Sequence, residues 1–300
     1  MSSTIWQGVM PAITTAFTPD GQIDLPFIRT HVQWLIENGC TGIVPCGSLG
    51  EGATLSREEK STLIRTCVET AAGRATVVPG IAALGTGAAI DLARDAENAG
   101  CDGVMVLPPY AYSTDWREMK AHVQAVIRAT PLPCILYNNP IAYKTDFLPH
   151  QIEELARECP NLEAVKESSA DVRRITEIKA LTGERLALGV GVDDAIVEGI
   201  AAGAKFWIAG LVNAMPKESV RLFDLAMDSE RERAFELYRW FLPLLRFDVV
   251  PKFVQLIKLA QQRVGMGSTT VRPPRIELEG AELSEALAVL NRALASRPIL

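Results

Sequence analysis

The strongest constraint on what this chain can fold into is an alternation. Short apolar runs, each bounded by Gly, Pro or Asn, recur between longer segments of helical period. The runs are GVMPAITTAF (8–17), GIVPCG (42–47), ATVVPGIA (75–82), GVMVLPP (103–109), PCILYNNP (133–140), LEAVKESS (162–169), LALGVGVD (186–193) and KFWIAGLVNA (205–214). Such near-continuous apolar stretches are what a parallel strand covered on both faces requires. The segments between them, such as LPFIRTHVQWLIENG (25–39) and SREEKSTLIRTCVETAAG (56–73), repeat apolar residues at helical spacing. Ser56 stands three residues before Glu59, a capping-box pattern. Gly39, Gly73, Gly100, Gly183 and Gly203 follow helical stretches, where a left-handed terminal residue is expected. Eight strand-like runs, each followed by a helix, predict an α/β fold of the (β/α)8 TIM-barrel class. The alternative, a doubly wound sheet, calls for a glycine-rich phosphate turn after the first strand, and TTAFTPDG is not one.

After Ser229 the alternation stops. ERERAFELYRWFLPLLRFD, VPKFVQLIKLAQQRVG and ELSEALAVLNRALA read as helices alone. The expected organisation is a barrel over residues 1–229 and a C-terminal helical extension over 230–300, packed on the barrel or on a neighbouring subunit.

Charge and composition exclude several classes. The net charge is −6 with both signs dispersed, so a nucleic-acid partner is not expected. No apolar run reaches the ~18 residues of a bilayer span, and the N-terminus lacks a signal-peptide pattern, so neither membrane nor export is expected. The six cysteines form no CxxC pair and sit mostly in apolar runs, which suits free thiols in a reducing, cytoplasmic setting. His31, His122 and His150 lie far apart with no ligand spacing, so no metal site is expected.

In such barrels the site lies at the C-terminal ends of the strands. There the sequence puts CGSLGEG (46–52), PPYAY (108–112), YNNP (137–140), Lys166, GVGVDD (189–194) and IAGLVN (208–213). A lysine in an apolar barrel mouth loses hydration, which lowers its pKa and frees a nucleophilic amine for Schiff-base formation. The plainer reading of Lys166 is an ion pair; its neighbour Glu167 should face the other side of the strand and not share the pocket. Tyr137 is either a proton shuttle or a packing residue of the rim. The turn GSLGE offers consecutive backbone N–H groups to a carboxylate, or is an ordinary loop.

GSLGEG, YNNP and VKES, in this order at the ends of strands two, five and six, closely resemble the dihydrodipicolinate synthase / N-acetylneuraminate lyase family. The resemblance runs from GVMPAITTAFTPDGQID through the barrel. It implies a class I Schiff-base enzyme that acts on a small molecule, needs no metal or organic cofactor, and assembles as a homotetramer, a dimer of dimers. By the same resemblance Lys166 is the Schiff-base lysine, Tyr137 the proton-shuttling tyrosine and Ser48 the hydroxyl that relays to it. The Gly47–Glu51 turn, with Leu49 and Gly50, matches the carboxylate-binding loop, and Ile208 at the end of strand eight is a further candidate contact.

The departures narrow the substrate. Ala142 stands where the synthase branch carries an arginine for a second carboxylate, and Ala111 stands in place of a second tyrosine. Leu49 replaces a common threonine. Phe206 and Trp207 occupy places that are often small, so the pocket is expected to be smaller, and Ala209–Gly210 lacks the hydroxyl of sugar-acid lyases. GSLGEGATL, LPPYAYSTDWREMKAHV, YNNPIAYKTDF and VKESSADVRR together look most like the branch that deaminates Δ1-pyrroline-4-hydroxy-2-carboxylate in hydroxyproline breakdown. That resemblance implies attack of Lys166 on C2 of the ring imine, ring opening, and Tyr137–Ser48 proton transfer at C3 with loss of the C4 hydroxyl. Hydrolysis then gives 2,5-dioxopentanoate and ammonia. Asn139, Tyr143 and Asp193 are candidates for the C4 hydroxyl or C5 amine; Asp193 could instead cap the following helix. The rivals are a class I aldolase, lyase or dehydratase of a 2-keto acid, dihydrodipicolinate synthase itself, and a non-catalytic metabolite-binding barrel.

Overall fold

The computed structural model describes residues 5–109 and 115–300. The chain begins with β1 (Gly8–Pro11), α1 (Leu25–Glu37), β2 (Gly42–Ile43), α2 (Arg57–Ala71), β3 (Thr76–Val77) and β4 (Gly80–Ile81). It continues with α3 (Thr86–Asn98), β5 (Val104–Val106), α4 (Trp116–Ile127), β6 (Cys134–Asn138), the one-turn α5 (Pro140–Tyr143) and α6 (Pro149–Glu158). Then come β7 (Leu162–Glu167), α7 (Arg173–Thr182), β8 (Ala187–Val190), α8 (Ile196–Ala201), β9 (Phe206–Ala209) and α9 (Pro216–Met227). The third apolar run of the sequence is divided into β3 and β4 by Pro79, which has no N–H to give a ladder.

All strand pairs are parallel. Seven strands form one curled sheet in the order β1-β9-β8-β7-β6-β5-β4, with β2 and β3 paired beside it. The ring closes through backbone bonds: Thr41 N donates to Val9 O at 2.9 Å, Val44 N to Pro11 O at 2.8 Å and Ile13 N to Val44 O at 3.1 Å, and Gly80 N donates to Pro45 O at 2.8 Å. This is the (β/α)8 barrel, with helices outside and apolar side chains filling the centre. Among the described residues, no helix is long and apolar enough to cross a membrane.

Local chemistry fixes the first helices. Asp24 accepts from Phe27 N at 3.0 Å, with Pro26 in the first turn of α1. The capping box of α2 is complete: Ser56 Oγ accepts from Glu59 N at 3.2 Å and Glu59 Oε2 accepts from Ser56 N at 2.8 Å.

Three further helices follow: α10 (Arg231–Leu245), α11 (Phe253–Arg263) and α12 (Gly280–Ala295), with a tight turn over Arg246–Val249 between the first two. They are tied to the barrel by charge as well as by packing. Lys258 donates to Glu51 Oε1 at 2.6 Å, both side chains almost fully buried, and Arg272 N donates to Glu51 Oε2 at 3.0 Å. The Arg272 guanidinium reaches Glu59 at 2.5 Å and the Gly21 carbonyl at 2.7 Å. The six cysteines are buried free thiols.

Candidate active site

Parallel register carries the residues of adjacent strands to one rim. Tyr137 on β6 is the partner of Lys166 on β7, and Lys166 is in turn the partner of Gly189 on β8. The side chains of Tyr137 and Lys166 point inward together, with Lys166 Nζ 4.1 Å from the centre of the Tyr137 ring. Glu167 faces the other way, as strand alternation demands, and accepts from Asn138 Nδ2 at 3.1 Å and Ser169 N at 2.7 Å. Lys166 is therefore not paired with its neighbour. No hydrogen bond to its Nζ is formed by any described residue. It lines a cavity of about 390 Å³ at the C-terminal end of the barrel, with Gly47, Ser48 and Leu49 of the β2 loop on another wall.

Burial lowers the Lys166 pKa to about 8, although the carboxyl groups of Asp248 and Asp193 pull it back up. Burial likewise pushes the Tyr137 phenol up to about 12, while the hydrogen bond from Asn139 works against the rise. At neutral pH the pair is thus a phenol beside an amine whose neutral form is roughly a tenth of the total, against well under a thousandth for an ordinary lysine.

Room for the lysine comes from Gly191. A Cβ there would stand 2.0 Å from Ser168 Oγ and 2.5 Å from Lys166 Cε. Ser168 follows Lys166 by two residues on the same face of the strand and also lines the cavity.

The β2 loop is built as a cradle. Gly52 N bonds to Gly47 O and Glu51 N to Ser48 O, both at 3.1 Å, which closes the turn. Among the described residues no acceptor takes the amide hydrogens of Ser48 and Leu49. Glu51 holds a left-handed backbone, φ 54°, and its side chain is the one gripped by Lys258 and Arg272. The cradle is thus anchored to the C-terminal helices. Behind it, the Ser48 hydroxyl pairs with the Tyr143 hydroxyl, and the Tyr143 ring meets Tyr137 edge-on at 5.8 Å. Asn139 Nδ2 donates to the Tyr137 hydroxyl at 2.9 Å and lines the cavity, while its Oδ1 accepts from Ala142 N. Ile208 and Ala142 also face the cavity.

Several expectations are corrected. Asp193 is neither a cavity residue nor a helix cap. It is fully buried and accepts from Trp207 Nε1 at 3.0 Å, Gly210 N at 3.1 Å and Leu211 N at 2.7 Å. Its carboxylate pins the chain leaving β9, which uses up the oxygens that would meet substrate. Gly50 lies behind the cradle rather than in the cavity, and a Cβ there would press to 2.8 Å from Ile13 O. Phe206 and Trp207 do not narrow the pocket: both are buried below it, Phe206 against Gly189 and Trp207 on Asp193. Ala111 lies outside the described residues.

The sequence reading also missed residues. Ser168 was open to it, since alternation puts residue 168 beside 166. Asp248, Val249, Val250, Pro251 and Phe253 were not. They come from the connection after α10 and the first residue of α11, yet they line the cavity. Nothing in the helical pattern of that segment signals a return to the barrel mouth.

A parallel barrel carrying one buried lysine and one phenol at its C-terminal rim, beside a loop of free amides, defines an enzyme of the lysine Schiff-base type. A family model described as the dihydrodipicolinate synthetase family matches residues 5–293. The chain belongs to that family. A 4-hydroxy-tetrahydrodipicolinate synthase of Methanococcus maripaludis is 31% identical, over 95% of this chain and 98% of the relative. The crystal structure of dihydrodipicolinate synthase from Aquifex aeolicus superposes with a TM-score of 0.91 at 30% identity, covering 96% of this chain and 98% of that one. The Acinetobacter baumannii synthase complexed with pyruvate gives 0.92 at 28% identity, over 97% and 99%.

Proposed function

We propose that the chain deaminates Δ1-pyrroline-4-hydroxy-2-carboxylate, converting it with water to 2,5-dioxopentanoate and ammonia through a Schiff base on Lys166. The carrying observation is the charge of the cavity. It offers one cradle for one carboxylate, and Lys166 is the only cation among its described lining residues. Ala142 leaves no arginine for a second carboxylate.

The amides of Ser48 and Leu49 hold the substrate carboxylate, which orients C2 toward Nζ. Neutral Lys166 attacks C2. Tyr137 gives its proton to the ring nitrogen as the C2–N bond breaks, leaving an iminium on Lys166, a free amine at C5 and a phenolate. The phenolate then takes a C3 proton, which the iminium has acidified, and an enamine forms. Tyr143 and Ser48 connect the phenol to the cradle side and return its proton. Loss of the C4 hydroxyl as water and a proton shift give the C4–C5 enamine. That tautomerises to an imine, which hydrolyses to the aldehyde and ammonia. Water then releases the keto acid from Lys166.

A second reading, 4-hydroxy-tetrahydrodipicolinate synthase, is favoured by the names of the relatives, including one bound to pyruvate. The deciding experiment offers both substrate sets to the purified protein. Ammonia released from the pyrroline, with a borohydride-fixed adduct mapped to Lys166, supports the deaminase. Formation of 4-hydroxy-tetrahydrodipicolinate without ammonia release transfers the reading to the synthase. No adduct on Lys166 under turnover excludes both.

A further inference from the structure

The cavity wall contributed from outside the barrel strands carries one acid. Asp248 sits in the tight turn after α10, half-buried, and lines the same cavity as Lys166 and Tyr137. Its carboxyl lies directly over the backbone of Gly210: a Cβ at that glycine would fall 1.9 Å from Oδ1 and 2.4 Å from Cγ. The absence of a side chain at residue 210 is therefore what lets an acid enter the barrel mouth.

The two carboxyls near Lys166 are in opposite states. Asp193 takes three donors and is sealed off below the cavity. Asp248 takes no hydrogen bond from any described residue, and the charged groups that act on it are Asp193, Lys166 and Asp194. Burial and the Asp193 carboxyl hold its pKa well above the usual carboxylate range, although Lys166 opposes the rise. A carboxyl that is desolvated, takes no hydrogen bond from any described residue and is turned toward an enclosed space is suited to exchange protons with what fills that space.

We propose that Asp248 is a catalytic residue that contacts the substrate at the end remote from its carboxylate, binding the C4 hydroxyl and protonating it as it leaves. This rests on the Schiff-base reading of the cavity. The enamine electron pair between C2 and C3 moves to form the C3–C4 double bond, the C4–O bond breaks, and the Asp248 proton completes a water molecule. The Asp248 carboxylate then accepts a proton from C5 as the unsaturated iminium rearranges, with C3 reprotonated by Tyr137. Asp248 ends as it began. The same contact sets specificity: a 2-oxo acid with a donor group at C4 gains a partner, and one without leaves the carboxyl unpaired.

The test compares the wild type with Asp248→Asn and Asp248→Ala. Its readout is the half-saturating concentration for borohydride-trapped adducts of 4-hydroxy-2-oxopentanoate and of 2-oxopentanoate. The wild type is expected to take the hydroxylated acid at least 10-fold better, and Asp248→Ala to erase that ratio. Asp248→Asn, which binds but cannot give a proton, is expected to keep most of the ratio while ammonia release from the pyrroline falls at least 100-fold. No preference in the wild type, a preference that survives Asp248→Ala, or equal losses for both acids in a variant with unchanged circular dichroism would each overturn the proposal. If the wild type releases no ammonia, the deaminase reading fails, and the trapping ratio still decides whether Asp248 reads the remote hydroxyl.

Discussion

The ion pair that ties the cradle to the C-terminal helices offers a quantitative test. Lys258→Met removes the cation 2.6 Å from Glu51 and keeps most of the side-chain volume. Glu51 is then left almost fully buried, with Arg272 N at 3.0 Å and Arg275 at 3.9 Å as its remaining partners. Breaking one side of a buried pair costs about 3–5 kcal/mol, and the surviving contacts put this case near the lower end. A chain of 300 residues has about 0.6 kcal/mol per kelvin of unfolding entropy, so about 3 kcal/mol lowers Tm by about 5 °C. Glu51 also closes the turn that presents the Ser48 and Leu49 amides. The same variant should therefore raise KM for a carboxylate substrate more than it lowers kcat. Adding Glu51→Gln should return part of the lost stability, because no buried charge is then left unpaired. The measurements are thermal unfolding followed by near-ultraviolet circular dichroism, and ammonia-release kinetics. A Tm within about 1 °C of wild type for Lys258→Met alone would refute the reasoning, since the pair would then contribute nothing net.

Other outcomes follow from the geometry of the amine. Adduct formation requires neutral Lys166, so its rate should climb about 10-fold per pH unit and level off near pH 8, whereas a lysine of ordinary pKa would keep climbing past pH 10; stopped borohydride trapping across pH 6–10 reads this. The same shift bears on folding. The folded-state pKa lies below that of the unfolded chain, so the unfolded chain holds more protons between about 8 and 10.5, and this group's contribution to stability rises with pH across that window. Gly191→Ala puts a methyl where Ser168 Oγ and Lys166 Cε now stand; borohydride trapping and ammonia release should both fall by orders of magnitude. Tyr137→Phe should form the adduct more slowly and lose about 10²–10⁴ of turnover, measured as ammonia released per trapped site.

The barrel was legible because its signal is repeated eight times and each repeat is local: an apolar run, a turn, a capped amphipathic helix. Positions 137 and 166 were legible because strand ends in such a barrel converge, and the register of β6 on β7 does bring 137 beside 166, while Ser48 came only through the family resemblance. What escaped the sequence depends on partners distant along the chain. Asp193 looks like a free acid at a strand end until Trp207 and the amides of 210 and 211 consume it. Phe206 looks like a pocket residue until β8 supplies Gly189 to receive its ring. Asp248 looks like one more acid on a helical tail until the turn after α10 brings it over Gly210.

That last feature separates two inheritances within one active centre. The amine and the phenol are fixed to strands whose register leaves little freedom, whereas residues 248–252 belong to the connection between α10 and α11, where exchange of side chains disturbs no ladder. New preferences can thus be acquired by rewriting a few positions near the carboxyl terminus, with the reactive machinery left intact. Transplanting that turn between relatives should carry selectivity with it.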